Sequence, residues 1–489
     1  MQTVSEFGNS RVQSGSGLDA VPQGLALLRP VYWIAGGVVA GGALYFGGIA
    51  PMTIAVAVLV ALWAFAEPRA ALWLTTAFMI FLFVFFQQTA PLGADLPAEF
   101  LFWGIGLAVI TAGLMIAAIF SRQVNWVLVK KRFATQVSVA MFAMLIVIIA
   151  ATVYGMLAGN QFSIVSRQLF GCVMLPVYYF LAVTLFRSAE DAAQWLRRAS
   201  WVVTLGSLWY AQKLSLASAT HGYYYREQSP LVAYSGAIAL VALCELAGQR
   251  RVGQRLVAAG QFAVCMVAIV LMGSRTALGS LLAAVVALIL ILVWKRRVLV
   301  LGLVVCLLPL GVGLGPYLMN RMLNNTGLPG QIAGRFIFAL DEDRSYQGRV
   351  GQTEVVWNMV NERPVLGAGM GSENSVFIPG EGRLKVASVD NGWGYLLLKM
   401  GYLGLAVFLV LVVAVLKTGL SGLSSVCNAM LRTDRLSVLA VFLYALVSFL
   451  GGPTFFHFST APFFAALLGA LVTLGEAREC TKPVPKAED

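Results

Sequence analysis

The sequence predicts an all-α polytopic membrane protein, a bundle of about 12–14 transmembrane helices with one large loop on the outer side. Hydrophobic residues make up 59% of the 489-residue chain and charged residues only 11%, and the mean hydropathy is +0.81. Soluble domains carry about 25% charged residues. Because a hydrocarbon core of ~30 Å needs about 20 apolar residues per helix, the repeated apolar stretches of this length predict membrane-spanning helices.

Fourteen apolar stretches are candidate spans, although the second and the last few are short or contain Gly and Pro. They run over residues 31–49, 52–66, 70–87, 99–120, 135–157, 166–186, 199–216, 231–248, 256–272, 276–294, 298–317, 391–416, 436–452 and 458–475. The distribution of Lys and Arg favours an even number, because basic residues near span ends accumulate on the cytoplasmic side.

The same rule predicts the orientation of the chain. With the N-terminus inside, the basic groups at 130–132, 250–251 and 295–297 all fall in cytoplasmic segments. The net charge of +12 is then a topology signal, so we expect no nucleic-acid partner.

This topology divides the chain into five segments. We predict a cytoplasmic tail at 1–29, transmembrane helices over 30–319, a periplasmic loop with short helices at 320–390, further transmembrane helices over 391–475 and a cytoplasmic tail at 476–489. Residues 1–29 are mostly polar, with no apolar core long enough for a signal peptide.

The six cysteines are predicted to be buried thiols and not disulfides or metal ligands. Cys172, Cys244, Cys265 and Cys306 fall within spans, and Cys427 and Cys480 fall inside, so no pair is left for the oxidising side. Metal-ligand spacing is absent from the sequence, so we predict no metal site and no cofactor.

The loop from 320 to 390 is the one long connection, and such loops are usually functional or disordered. Gln347–Asn361 predicts a helix ended by Pro364, with Trp357 placed to lie on a membrane or sugar surface. Residues 365–371 form a glycine-rich turn whose bare amides are able to approach an anion. A purely structural turn is the favoured interpretation, since the strand–turn–helix context of a nucleotide loop is missing.

Five polar residues are candidates for chemistry, each with a simpler alternative. Arg275 lies between two spans and needs an anionic partner, unless it reaches lipid headgroups. Arg349 begins the loop helix and is otherwise a solvated residue. Asp390-Asn391 joins the loop to a span, where a helix cap is the alternative. Lys399, about 13 Å further along that helix at 1.5 Å per residue, is interpreted as a lysine paired or snorkelling inside the bundle.

The order of these motifs resembles the O-antigen ligase and polysaccharide polymerase superfamily. The matching elements are Gly273-Ser274-Arg275-Thr276 before a span, and an outer loop with Gly348-Arg349, Trp357 and the sequence ERPVLGAG at 362–369. The loop closes with DNGWGYL at 390–396, followed by LKMGYLG at 398–404. These motifs cover about residues 265–410.

The resemblance implies a helical bundle related to the polytopic glycosyltransferases of the GT-C type, in a bacterial inner membrane with its active face in the periplasm. It implies transfer of a glycan from an undecaprenyl-diphosphate donor to a glycan or lipid A core acceptor. By position, Arg275 and Arg349 map to the arginines that hold the diphosphate. Trp357 and Asn391 are further candidates for substrate binding, and Asp390 for the general base. Expected partners also include the lipid bilayer and chain-length regulator or export proteins.

One residue departs from the pattern of the ligases and bears on the choice between a polymerase and a ligase. Ligases carry His-Asn at the junction between loop and span, whereas this chain has Asp390-Asn391. A carboxylate also accepts a proton from an attacking hydroxyl. The sequence therefore favours a metal-independent polymerase of exopolysaccharide or O-antigen repeats, with an O-antigen ligase as the alternative. A lipid-linked sugar transporter or flippase is the rival from another class, but the sequence shows no clear internal repeat.

Overall fold

The computed structural model describes residues 49–67, 72–78, 97–120, 124–221, 231–248, 251–272, 274–293, 344–378, 382–386, 389, 391–421, 423 and 428–476. The predicted span at 298–317, Asp390 and both tails beyond residue 476 and before residue 49 lie outside these residues.

Helices dominate the described part of the chain. They are α1 (Ile49–Ala66), α2 (Pro97–Phe120), α3 (Trp126–Phe133), α4 (Gln136–Leu157), α5 (Phe162–Leu185), α6 (Ala189–His221), α7 (Leu231–Gly248), α8 (Val252–Leu271), α9 (Arg275–Val293), α10 (Arg344–Glu362), α11 (Gly392–Leu420), α12 (Ala429–Ser448) and α13 (Ala461–Leu474).

The predicted helical membrane fold is confirmed. Within the described residues, α4, α5, α7, α8 and α11 are long and apolar enough to cross a membrane, and shorter apolar stretches lie at 106–120, 276–290 and 461–474. The exposed side of α4 shows why these helices need lipid. Val139, Phe142, Ile146, Ile149 and Val153 follow helical spacing and are each 50–60% exposed. A continuous apolar stripe of this kind marks a membrane surface.

Small residues let the helices approach closely. A Cβ on Gly236 of α7 would overlap the ring of Tyr444 in α12, and one on Gly469 of α13 would lie 2.6 Å from Cβ of Ala182 in α5. Close packing through small residues replaces the hydrophobic effect, which is missing between helices in lipid. The thiols of Cys172, Cys244 and Cys265 are buried and free, as predicted.

One end of the bundle is tied together by a buried arginine. The side chain of Arg132, at the end of α3, is 1% exposed and pairs with Glu476 beyond α13 at 2.7 Å. Its guanidinium also donates to the carbonyls of Val183 and Phe186 at the end of α5. The basic segment 130–132 and the end of α13 are therefore on the same side of the bundle.

Helix α11 differs from the prediction of a continuous span at 391–416, because it is broken at Gly401 (φ 63°, ψ −162°). The rings of Trp393 and Phe408 are 5.6 Å apart, whereas residues 15 apart in a straight helix are separated by about 22 Å. The chain therefore folds back at Gly401. The two parts are called the first arm (392–400) and the second arm (402–420).

The long loop is partly ordered. Helix α10 covers the predicted helix at 347–361 and extends it to Arg344–Glu362. A β-hairpin of β1 (Asn374–Ile378) and β2 (Gly382–Val386) follows and was not predicted. The strands pair antiparallel, with Val376 opposite Leu384, and α10 packs against β1.

The orientation is testable with single cysteines in a chain whose six native cysteines are replaced by alanine. Glu373 and Lys131 are both exposed and are predicted on opposite sides. A membrane-impermeant maleimide applied to intact spheroplasts should label Glu373→Cys and should reach Lys131→Cys only after lysis. The reverse pattern would invert the predicted topology.

Candidate functional site

The break in α11 is filled by the segment Pro364–Ser372, called the docking segment. The amides of Tyr402 and Leu403 donate to the carbonyls of Pro364 (2.8 Å) and Val365 (3.2 Å), and the Leu398 carbonyl accepts from the Ala368 amide (2.7 Å). Gly401 separates these groups from their helical partners, so they would otherwise be unsatisfied in a nonpolar environment. The docking segment thus replaces the hydrogen bonds that α11 loses.

The other side of the docking segment lies against α4 and α5. The Met370 amide donates to the Ala151 carbonyl (3.1 Å), and the Gly371 amide donates to Oε1 of Gln168 (2.7 Å). Asn160 Nδ2 donates to the Met370 carbonyl (2.8 Å). These contacts hold the segment between α4, α5 and α11.

Glycines make this close approach feasible. Gly367, Gly369 and Gly371 have φ of 65°, 78° and 81°, values that favour residues without a Cβ. A Cβ on Gly155 of α4 would overlap the Met370 carbonyl. The glycine-rich turn is therefore structural, in agreement with the favoured sequence interpretation, and its amides at Ala368, Met370 and Gly371 are occupied by protein acceptors.

Lys399 is a buried anchor for the end of the docking segment. Its side chain is 0% exposed, and Nζ donates to the carbonyl (2.6 Å) and Oγ (2.8 Å) of Ser372. On the same arm, Tyr395 Oη lies 3.6 Å from Sγ of Cys172 in α5. The first arm therefore touches α5 at Cys172 and holds the docking segment at Lys399.

The start of α11 meets the end of α12 and the start of α9. The Gly392 amide donates to the Phe449 carbonyl (2.8 Å). Gly451 lies two residues after Phe449, and a Cβ on it would overlap the side chain of Thr276, the residue after Arg275. The structure therefore brings the Gly-Ser-Arg-Thr motif and the Asn391 junction to one short segment, Phe449–Gly451, although they are more than 100 residues apart in sequence.

Aromatic packing fixes this junction. Trp393 packs edge-on against Phe449 at 5.3 Å and against Phe408 at 5.6 Å. Phe455, after the turn that follows α12, packs on Phe408 and Phe449 at 5.5 and 5.6 Å. Such pairs stabilise by about 0.5–1.5 kcal/mol each beyond area burial.

Helix α10 lies on the first arm. Val356 and Val360 are 2% and 0% exposed, whereas Trp357 is 53% exposed, which leaves its ring accessible as the sequence predicted. Val356 faces Gly394, where a Cβ would lie 3.8 Å from Cγ2 of the valine. Arg349 lies in α10 two turns before Val356, about 10 Å along the helix.

A side chain caps the start of α11 and another caps the start of α9. Asn391 caps α11, and its Oδ1 accepts from the Trp393 amide (3.0 Å). Ser274 Oγ accepts from the Ala277 amide at the start of α9 (3.2 Å). The cap on α11 therefore does not require Asp390, which precedes Asn391 and lies outside the described residues.

Three helix ends meet in this region. The starts of α9 and α11, which carry partial positive charge, lie beside Phe449–Gly451, which is the C-terminal end of α12 and carries partial negative charge. His457 in the α12–α13 connection adds no charge at neutral pH, because burial lowers its pKa to about 4.

Sequence reasoning missed several residues that build the site. Asn160 and Gln168 hold the docking segment but occur in an unremarkable connection and span. The alternate glycines at 367, 369 and 371, together with Gly401, were the available signal. Their partners become evident only when α4, α5 and α11 are packed together.

The anchoring role of Lys399 is testable against Lys417, an exposed lysine on the same helix. Lys399→Met should lower stability by about 1–3 kcal/mol, because it leaves the Ser372 oxygens buried without a donor. Thermal unfolding in detergent, with limited proteolysis after the exposed Arg363, measures the loss. Lys417→Met should match the wild type. Equal stability of the two variants would show that Lys399 does not hold the docking segment.

Comparison with known protein families covers the region just described. Residues 260–409 match the family model Wzy_C, described as O-antigen ligase. The match begins in α8, includes α9, α10, the docking segment and the first arm, and ends in the second arm of α11. No curated protein matches the chain. This match agrees with the resemblance of the motifs: residues 260–409 are similar to the O-antigen ligase family.

Proposed function

We propose that the protein is a glycosyltransferase that polymerises undecaprenyl-diphosphate-linked oligosaccharide repeats into exopolysaccharide or O-antigen, at the periplasmic face of the bacterial inner membrane. The observation that carries the proposal is the meeting of the starts of α9 and α11 at Phe449–Gly451, inside a region that matches the O-antigen ligase family. The proposed donor is an anion, which Arg275 at the first position of α9 and the N-terminal ends of α9 and α11 would attract against the partial negative charge at the end of α12.

In the proposed site, Arg275 and Arg349 hold the donor diphosphate. Arg275 is the first residue of α9, and α10, which contains Arg349, packs on the first arm of α11. Bidentate guanidinium contacts match phosphate oxygens and neutralise the charge that develops as the diphosphate leaves. Trp357, on the exposed side of α10, offers a flat apolar surface for a sugar ring.

The proposed reaction needs one base. The acceptor hydroxyl oxygen forms a bond to the anomeric carbon of the donor sugar, and the bond from that carbon to the diphosphate oxygen breaks. Undecaprenyl diphosphate leaves with the electron pair, and Asp390 takes the hydroxyl proton. Asn391 supports this step indirectly, because its cap fixes the start of α11 next to Asp390. The step requires no metal ion, since the arginines supply the positive charge.

A ligase that transfers glycan to lipid A core is the second candidate, favoured by the description of the matched family. The aspartate in place of the ligase histidine favours the polymerase. A transporter is less well supported, because Lys399, a buried ionisable residue of the kind that ion coupling uses, is hydrogen-bonded to Ser372. Glycan analysis of a deletion strain separates the three. Single repeats without polymer indicate a polymerase, unattached full-length polymer a ligase, and unflipped intermediates a transporter.

The donor site is tested with single arginine variants of purified protein acting on a lipid-linked repeat. Arg275→Ala and Arg349→Ala should each lower turnover by at least about 10²-fold, the usual cost of losing one charge-stabilising group. Lysine should rescue poorly, because it keeps the charge but loses the fork. Arg363→Ala, at an exposed arginine after α10, is the control and should stay active. Near-normal polymer from Arg275→Ala or Arg349→Ala would remove that arginine from the site.

The base is tested separately with Asp390→Asn. Because Asn391 supplies the cap, this change should leave the fold unaltered yet lower turnover about 10²–10⁴-fold. Asn391→Ala is the matched variant for capping and should cost about 1 kcal/mol of stability. Turnover by Asp390→Asn at the wild-type rate, at matched folded protein, would contradict the assignment.

A further inference from the structure

A second polar site lies at the opposite end of the bundle from the docking segment. Between α6, α7, α8 and the start of α12 there is a cavity of about 220 Å³, lined among others by Arg197, Glu245, Gln261 and Trp201. Helix α12 links it to the proposed glycosyltransfer site. Asp434, beside the cavity, and Phe449, at the end of α12 where it contacts the start of α11, are 15 residues apart, which is about 22 Å along the helix.

The polar groups of the cavity are not all used by the protein. Gln261 is 5% exposed, lines the cavity and makes no hydrogen bond to another described residue. The carboxylate of Glu245 on α7 also makes no hydrogen bond to another described residue, although it is attracted to the nearby Arg197. A buried amide without a partner costs free energy unless something in the cavity bonds to it. The cavity therefore presents unfilled acceptors.

Charged groups of both signs lie at the cavity. Arg197 Nη1 pairs with Asp434 at 3.4 Å, and its side chain remains 41% exposed. With Glu245, two carboxylates accompany one guanidinium, so a ligand with a cationic group is favoured near Glu245. The accessible part of Arg197 is free to bind an anionic group. A volume of several water molecules is too large for a single ion.

The rim of the cavity points to the membrane. Trp201, Val257 and Met430 are 49%, 45% and 43% exposed. From Trp201 the exposed stripe continues along α6 through Leu205 (60%) and Leu208 (53%), at one-turn spacing. An exposed apolar track that ends at a polar cavity near the helix ends matches a lipid, with acyl chains on the track and the headgroup in the cavity. Tryptophan is typical of this boundary.

We infer that this cavity binds the headgroup of an aminophospholipid, with its primary ammonium at Glu245 and Gln261 and its phosphodiester at Arg197. A primary ammonium has three N–H donors for the Glu245 carboxylate and the Gln261 carbonyl oxygen. A quaternary ammonium has no N–H, and a glycerol headgroup has no cation. The site therefore selects phosphatidylethanolamine over phosphatidylcholine and phosphatidylglycerol. It is independent of the proposed glycosyl transfer.

The test uses full-length, delipidated protein in detergent and an equimolar mixture of the three lipids with identical acyl chains. Native mass spectrometry should show phosphatidylethanolamine retained at least about tenfold over the other two, the ratio expected for one charge-assisted hydrogen bond. Glu245→Gln keeps the shape but removes the charge, and should abolish the preference. Glu190→Gln is the control, since Glu190 is an exposed acid on α6 that does not line the cavity.

Gln261→Met is the second variant, and it should weaken the preference without adding or removing charge. It keeps the test decisive if Glu245→Gln does not fold, as judged by size-exclusion chromatography and thermal unfolding. Equal retention of all three lipids, a preference for phosphatidylglycerol, or an unchanged preference in the folded variants would each overturn the inference. Loss of the preference leaves the proposed glycosyl transfer untouched, because polymer formation is measured separately.

Discussion

The backbone pairing between the docking segment and the broken helix α11 is the constraint on which the rest of the site depends. A span interrupted by Gly401 leaves amides and carbonyls without helical partners, which lipid cannot satisfy. Pro364, Val365 and Ala368 supply those partners. The interruption is therefore stable only while the docking segment is seated between α4, α5 and α11, so this segment and the helices around it depend on one another.

The fold-back of α11 explains how distant motifs meet. A straight helix would carry Trp393 about 22 Å from Phe408. With the turn at Gly401, the first arm lies beside the second, and Trp393, Phe408 and Phe449 form one aromatic cluster. Asn391 and Gly392 are thereby held against the end of α12, which also contacts the start of α9. Precision at the site comes from packed aromatic rings and a capped helix, which are more rigid than a free loop.

The buried basic residues have different duties. Arg132 closes one end of the bundle through Glu476 and the carbonyls of α5, and Lys399 holds the docking segment through Ser372. Both are buried with partners, as a charge inside a membrane protein requires. Arg275 differs in position, since it is the first residue of α9, which meets the start of α11 at Phe449–Gly451. This position supports the proposal that Arg275 binds substrate, whereas Arg132 and Lys399 hold parts of the fold together.

The sequence by itself determined the membrane fold, the bounds of several helices and the resemblance of residues 260–409 to the O-antigen ligase family. The span at 231–248 was predicted to the residue, and α10 within three residues at its start, because apolar length and Pro364 are local signals. Only the tertiary structure decided that α11 breaks at Gly401, that Asn391 is the cap and that Lys399 pairs with Ser372. These depend on contacts between segments far apart in the chain. The sequence does not distinguish a glycine that needs positive φ from any other glycine. The requirement becomes clear only when the neighbouring backbone is in place.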